Sequence, residues 1–189
     1  MESALIVSGT AKSVSYFAEI LSAAAFGQII TLPTCGEARR VLMERNFDLV
    51  IINAPLKDET GERLARYIAT KGSAQVILAV ANEHYEAVAA LCENEGVLTL
   101  SKPLSKEVFW SSVKLARAAH NRLLHMYSEN NKLKQKIEDI RIIDRAKCIL
   151  ISYMLMSEQE AHRYIEKQAM DMRLSKRAVA EGILKTYEN

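Results

Sequence analysis

The chain has 189 residues, of which 49% are hydrophobic, and a formal net charge of +2. This length suits one full domain and a smaller second one, and the apolar share supplies a core. The near-neutral charge excludes a globally basic protein, so any nucleic-acid surface must be local. Three well-separated cysteines favour reduced thiols over a disulfide or a metal site. Since no apolar stretch reaches membrane-spanning length, we expect a soluble cytoplasmic protein.

The first hundred residues alternate between strand-like and helical segments. Apolar runs of strand length occur at 5–7, 29–32, 48–53, 75–80 and 96–100. Helical patterns separate them, near 11–25, 36–45, 60–71 and 83–94. This alternation predicts an α/β fold with a doubly wound, five-stranded parallel sheet. Functional groups should gather beyond the carboxyl ends of its strands.

A lysine–proline pair follows the last predicted strand, in the sequence Ser101-Lys102-Pro103-Leu104. With the strand order and length, it makes residues 1–112 resemble a response-regulator receiver domain, which is flavodoxin-like. In that family, two acidic residues after the first strand hold magnesium. An aspartate after the third strand accepts phosphate, and a Ser or Thr follows the fourth strand.

The phosphorylation residues of that family are missing here. The first strand is followed by Ser8-Gly9-Thr10, Asn53 occupies the phospho-acceptor position, and the fourth strand ends at Val80-Ala81. An amide cannot form an acyl phosphate, and without clustered carboxylates there is no oxygen cage for Mg²⁺. We therefore expect a receiver-like domain that is not phosphorylated and holds no cofactor or metal. Asp58 and Glu59, in the next loop, are expected to be solvated charges.

Lys102 has two possible roles. As a functional residue it would bind an anion or an acidic partner. As a structural residue it would pair with a nearby polar group such as Asn53, and we favour this role.

A long helix follows the receiver-like domain, since no proline or glycine occurs between Lys106 and Tyr153. Apolar residues repeat in heptads along it, which predicts a coiled-coil dimerisation helix over residues 113–140. We expect Ala116 and Ala119 to pack on the receiver-like domain, and the seam beyond them to pair with a second copy. The predicted dimer seam consists of Leu123, Met126, Asn130, Leu133, Ile137 and Ile140.

Asn130 falls at a core position of that seam. A buried Asn pairs with its symmetry mate and favours a parallel, in-register dimer. Glu129 and Lys134 would attract across such a dimer, whereas Lys136 and Arg141 would repel. The alternative is a single helix that packs its seam on its own domain.

Residues 141–189 predict a small three-helix bundle. The long helix should end near residue 154. Ser157 and Glu160 form a capping box for a helix over about 158–172. Ser175 is the expected N-cap of a last helix that ends near Tyr187.

Paired residues in this tail resemble the ANTAR domain, at the spacing of that family. They are Ala146-Lys147, Glu160-Ala161, Ala169-Met170 and Ala178-Val179-Ala180. The resemblance implies a module that recognises RNA hairpin loops in bacterial antitermination regulators. Its alanines are expected to be packing residues where helices approach closely.

Basic residues near a helix N-terminus suit phosphate, and an aromatic side chain can stack on unpaired bases. The alternative for the basic residues is a solvated charged surface, and Tyr164 is equally suited to a place in the core. The predicted RNA-binding residues are Arg145, Lys147, Tyr164, Arg173, Lys176 and Arg177.

The sequence thus predicts a dimeric RNA-binding antiterminator. It would hold paired hairpins of a leader mRNA and prevent formation of a terminator, under control of a regulatory protein or ligand. The rival functions are a DNA-binding response regulator and a protein-interaction module. An enzyme is the least favoured, since His84, His120, His125 and His162 are scattered.

Overall fold

The structure is a computed structural model in which residues 2–71 and 74–187 are described. The predicted domain ends at residues 1 and 189 lie outside the described residues. The strands are β1 (Ser3–Ser8), β2 (Gln28–Leu32), β3 (Leu49–Asn53), β4 (Gln75–Ala81) and β5 (Val97–Lys102). The α-helices are α1 (Ala11–Ala23), α2 (Cys35–Glu44), α3 (Glu62–Lys71), α4 (Tyr85–Cys92), α5 (Lys106–Met154), α6 (Glu158–Met172) and α7 (Lys176–Tyr187).

The strands form one parallel sheet in the order β2-β1-β3-β4-β5. The central strands β1, β3 and β4 are buried almost throughout. Burial on both faces explains why their sequences are continuous apolar runs instead of alternating ones. The predicted doubly wound α/β fold is confirmed.

Each face of the sheet carries its own apolar core. Phe17 of α1 and Phe109 of α5 pack on one face, with ring centroids 4.8 Å apart. Helices α2, α3 and α4 cover the other, where Cys35 and Cys92 are buried. Burial raises the pKa of the Cys35 thiol to about 12, so this cysteine acts as a small apolar residue. Cys148, by contrast, is exposed.

The first turns of α5 pack on the sheet through Phe109, Val113, Ala116 and His120. Their spacing of three and four residues marks one helix face. We predicted that Ala116 and Ala119 both pack on this domain. Ala116 does, but Ala119 is exposed because it lies off this helix face. His120 is buried, with its Nε2 3.5 Å from Oδ1 of Asp48.

The chain divides into two compact units, Met1–Leu124 and His125–Asn189. In the second, the C-terminal part of α5 joins α6 and α7 in a three-helix bundle. The Ser157 hydroxyl accepts from the amide of Glu160, whose carboxylate accepts from the amide of Ser157, so the capping box is confirmed. The core residues are Ala146, Leu150, Ala161, Ile165, Ala169, Val179, Ala180 and Leu184. The predicted domain boundaries at 112 and 140 fall inside α5 and stay predictions.

Candidate functional sites

Two residues at the predicted phosphorylation positions lie together at the carboxyl edge of the sheet. Ser8 of β1 and Asn53 of β3 are register partners. The Asn53 Nδ2 donates to the Ser8 Oγ at 3.0 Å. The amide at the predicted acceptor position thus donates a hydrogen bond to a neighbouring hydroxyl.

Lys102 ends β5 next to this pair, but its partner differs from the one we expected. Its Nζ donates to the backbone carbonyl of Ala54 and not to Asn53, because the Asn53 side chain is turned toward Ser8 on β1. Burial lowers the pKa of the Lys102 ammonium. Its hydrogen-bond partner is therefore neutral, and within residues 2–71 and 74–187 no ion pair compensates its positive charge.

Asp58 is not the solvated loop charge that the sequence suggested. Its carboxylate accepts from the amides of Cys35 at 3.0 Å and Gly36 at 2.9 Å, at the start of α2. Desolvation raises the pKa of Asp58, but these backbone hydrogen bonds outweigh it and lower the value overall. Glu59 forms a two-pronged ion pair with Arg39. Both residues tie the β3–α3 loop to α2, a contact between distant segments that sequence spacing cannot reveal.

In the second unit, two of the predicted RNA-binding lysines form ion pairs. The Lys147 Nζ lies 2.8 Å from Asp144 and 2.9 Å from Glu158, and these hydrogen bonds raise its pKa. Lys176 pairs with Glu166 of α6, which lowers the pKa of that carboxyl. Both lysines therefore link helices of the bundle.

Arg177 has the same kind of role at the start of α7. Its guanidinium lies 2.8 Å from Asp139 of α5 and 2.7 Å from Glu181 of α7. Arg173, four residues earlier, ends α6 in a left-handed conformation (φ 55°) and is exposed. Both arginines thus lie at the junction of α6 and α7. Arg177 forms ion pairs there, whereas Arg173 is exposed to solvent.

Tyr164 is half-buried and packs against the bundle core. This contact favours the core role over a purely surface role, although part of the ring stays accessible. Arg145 lies on α5, where it lines a shallow groove with Arg141, Cys148 and Ser152.

The sequence did not single out two further aromatic residues, Tyr153, which lines this groove, and Tyr187, which packs against Tyr153. Tyr153 of α5 is 67% exposed, and its ring centroid is 5.5 Å from that of Tyr187. Exposed tyrosines are suited to stack on unpaired bases. Both tyrosines continue the spacing of three and four residues that marks the apolar stripes of α5 and α7, so nothing in the sequence separated them from core residues.

The predicted dimer seam is exposed along α5 in the single chain. Leu123 is 40% exposed, and Leu133 and Ile140 are each 58% exposed. Asn130 is exposed as well. A row of large apolar side chains in solvent is a typical mark of an interaction surface.

Neither a metal site nor a membrane span is found within 2–71 and 74–187. In these ranges no cluster of three or more His, Cys, Asp or Glu is arranged to hold a metal ion. The helices there are too short or too polar to cross a bilayer.

Residues 131–184 match the family model of the ANTAR domain. The chain is also similar to a transcriptional regulatory protein of Mycobacterium tuberculosis, PdtaR. The two are 27% identical over 139 residues, which cover 74% of this chain and 68% of that protein. The matched family segment contains α6 and most of α7, together with the C-terminal part of α5.

Solved structures share the fold of the first unit. The signal receiver domain of an HD domain-containing protein from Pseudomonas fluorescens has a TM-score of 0.57 at 22% identity, over 65% of this chain and 91% of that one. A response regulator receiver domain protein from Clostridium thermocellum has a TM-score of 0.57 at 19% identity, over 65% and 99%. The chain thus joins a unit with the receiver fold to a segment that matches the ANTAR domain, the arrangement that its resemblance to ANTAR response regulators implies.

Proposed function

We propose that this regulator is an RNA-binding transcription antiterminator that acts as a cytoplasmic dimer. The observation that carries the proposal is the match of residues 131–184 to the ANTAR domain, on a folded bundle with exposed basic and aromatic side chains. Each bundle would hold one hairpin of a leader mRNA. Stabilising this RNA form would prevent a competing terminator hairpin from forming.

The RNA surface would combine the α5 groove with the junction of α6 and α7. Arg145 and Arg173 are exposed basic residues suited to contact phosphate, and Tyr153 offers a ring for an unpaired base. Lys176 and Arg177 would exchange carboxylate partners for phosphate when RNA binds. Lys147 and Tyr164 would hold the helices in place beside the RNA.

The dimer would form through the exposed seam of α5. Burial of Leu133, Ile137 and Ile140 against the same residues of a second copy supplies an apolar driving force, and Asn130 would fix the register. Two linked bundles gain effective concentration on paired hairpins, so a contact that is weak alone becomes tight.

Control would act through the receiver-fold domain without phosphate on Asn53. An amide already engaged by Ser8 has no nucleophilic oxygen for an acyl phosphate. A regulatory protein or a ligand on this domain would then set whether the bundles reach RNA.

The test measures binding of the full chain to a leader RNA with two hairpins and to duplex DNA of the same sequence. We expect RNA to bind far more tightly than DNA. Arg173→Gln should weaken RNA binding and reduce the slope of log K against log salt by about 0.7, the loss of one single-strand phosphate contact. Lys132→Gln, an exposed lysine off the seam, is the control. Equal binding of RNA and DNA would support a DNA-binding regulator instead.

A further inference from the structure

A cavity of about 450 Å³ opens at the carboxyl edge of the sheet, in the first unit. Its lining includes Lys102, Asn53, Lys12 and Ser13, and Tyr16 is on its wall. Sheets of this type bind ligands outside the carboxyl ends of their strands. The cavity therefore has the position and the size of a small-ligand site.

The charged side chains that line this cavity are both positive. Lys12 and Lys102 supply two ammonium groups, and no carboxylate is among the described residues that line it. Asn53 is neutral where an aspartate would compensate Lys102.

Lys102 is the less exposed of the two lysines that line the cavity. Its ammonium is half-buried and donates to the Ala54 carbonyl, a neutral acceptor. A charge removed from water is stabilised best by an opposite charge with good hydrogen-bond geometry. Burial lowers the pKa of Lys102, as expected for an ammonium without a counter-ion.

The remaining polar groups suit an oxygen-rich anion. Ser13 lies in the first turn of α1, which contains no acidic residue, and its hydroxyl is within reach of the cavity. Lysines, a hydroxyl and an amide are the donors that proteins use for carboxylate and phosphate oxygens.

We propose that this cavity binds a small oxyanion non-covalently, either a carboxylate or a phosphate, as the input site of the receiver-fold domain. The anion would compensate Lys102 and Lys12 in place of the missing acceptor aspartate. No bond forms or breaks, so neither Mg²⁺ nor a phosphoryl donor takes part. The proposal does not depend on RNA binding, and either can fail alone.

The test is equilibrium dialysis of the full chain with radiolabelled inorganic phosphate, with acetate as a competitor. We expect a single saturable site. Lys102→Met and Lys12→Met should each weaken phosphate binding by about tenfold or more, the loss of a charge-assisted hydrogen bond. Lys114→Met should bind like the native chain, because Lys114 lies over Trp110, outside the cavity. Displacement by acetate at a lower concentration than unlabelled phosphate requires would identify a carboxylate as the better ligand.

Three results would overturn the proposal. The first is no saturable binding of either anion by the native chain. The second is unchanged binding in Lys12→Met, a substitution at an exposed position that keeps the test valid even if Lys102→Met does not fold. The third is a covalent phosphoryl group, seen by mass spectrometry after incubation with acetyl phosphate and Mg²⁺.

Discussion

Ile137→Ala tests the proposed dimer seam by separating dimer stability from chain folding. Ile137 is 52% exposed in the single chain, so its truncation should have little effect on the fold of one chain. In a dimer, the same side chain would be buried against its counterpart. The substitution should therefore weaken association much more than it weakens folding.

The size of the effect follows from the exposed fraction. Full burial of an isoleucine side chain is worth about 1.5–3 kcal/mol. Since about half of Ile137 is still exposed, pairing would contribute about 1 kcal/mol per chain. A dimer loses this twice, about 2 kcal/mol in total, which raises the dimer Kd roughly thirtyfold.

Sedimentation equilibrium over a range of protein concentrations measures this Kd. The matched control is Leu124→Ala, which removes a leucine that is 49% exposed on the same helix but outside the seam. We expect the control to associate like the native chain. A native chain that stays monomeric at micromolar concentration, or equal Kd values for the two variants, would refute the seam.

Other predictions concern the caps, the pH dependence and the register. Ser157→Ala removes the α6 capping box and should lower the free energy of unfolding by about 1 kcal/mol in urea titrations. The control is Ser128→Ala, at an exposed serine within α5. Equal losses of stability in the two variants would contradict a special role for the cap. Desolvation raises the pKa of Asp48, but hydrogen bonds from Glu2 and Ser3 outweigh it and lower the pKa below the ordinary 3.8. Its stabilising contribution is thus complete above pH 3.8 and is lost as the pH falls through the lower folded value. Asp48→Asn should therefore lose less stability than the native chain between pH 5 and 2, and parallel curves would contradict this. Asn130→Leu should change the oligomer order in sedimentation, and an unaltered dimer would remove Asn130 from the register role.

The regular elements could be predicted because their signals are local. The buried run of β3 and the Ser157 cap need only neighbouring residues to be recognised. The exposed Ala119 shows the limit of this approach. Heptad spacing fixes a seam within one helix, but it cannot identify which face of α5 meets the sheet, and that face is set by Phe109 and Val113.

The candidate sites were predicted less well because their contacts join distant segments. Arg177 and Asp139 are 38 residues apart in sequence, and nothing local indicates that they pair. The hydrogen bond from Lys102 to the Ala54 carbonyl likewise joins the ends of two strands that are distant in sequence. The sequence identified which residues carry charge, whereas the fold decides which of these charges are compensated.

The most direct test of the account is the affinity of the full chain for a leader RNA with two hairpins, compared with each hairpin alone. We expect tight binding of the paired hairpins and at least about a hundredfold weaker binding of a single hairpin, since the second contact gains effective concentration in a dimer. Equal affinity for one and two hairpins would contradict the dimeric account, and no binding of either RNA would contradict RNA recognition itself.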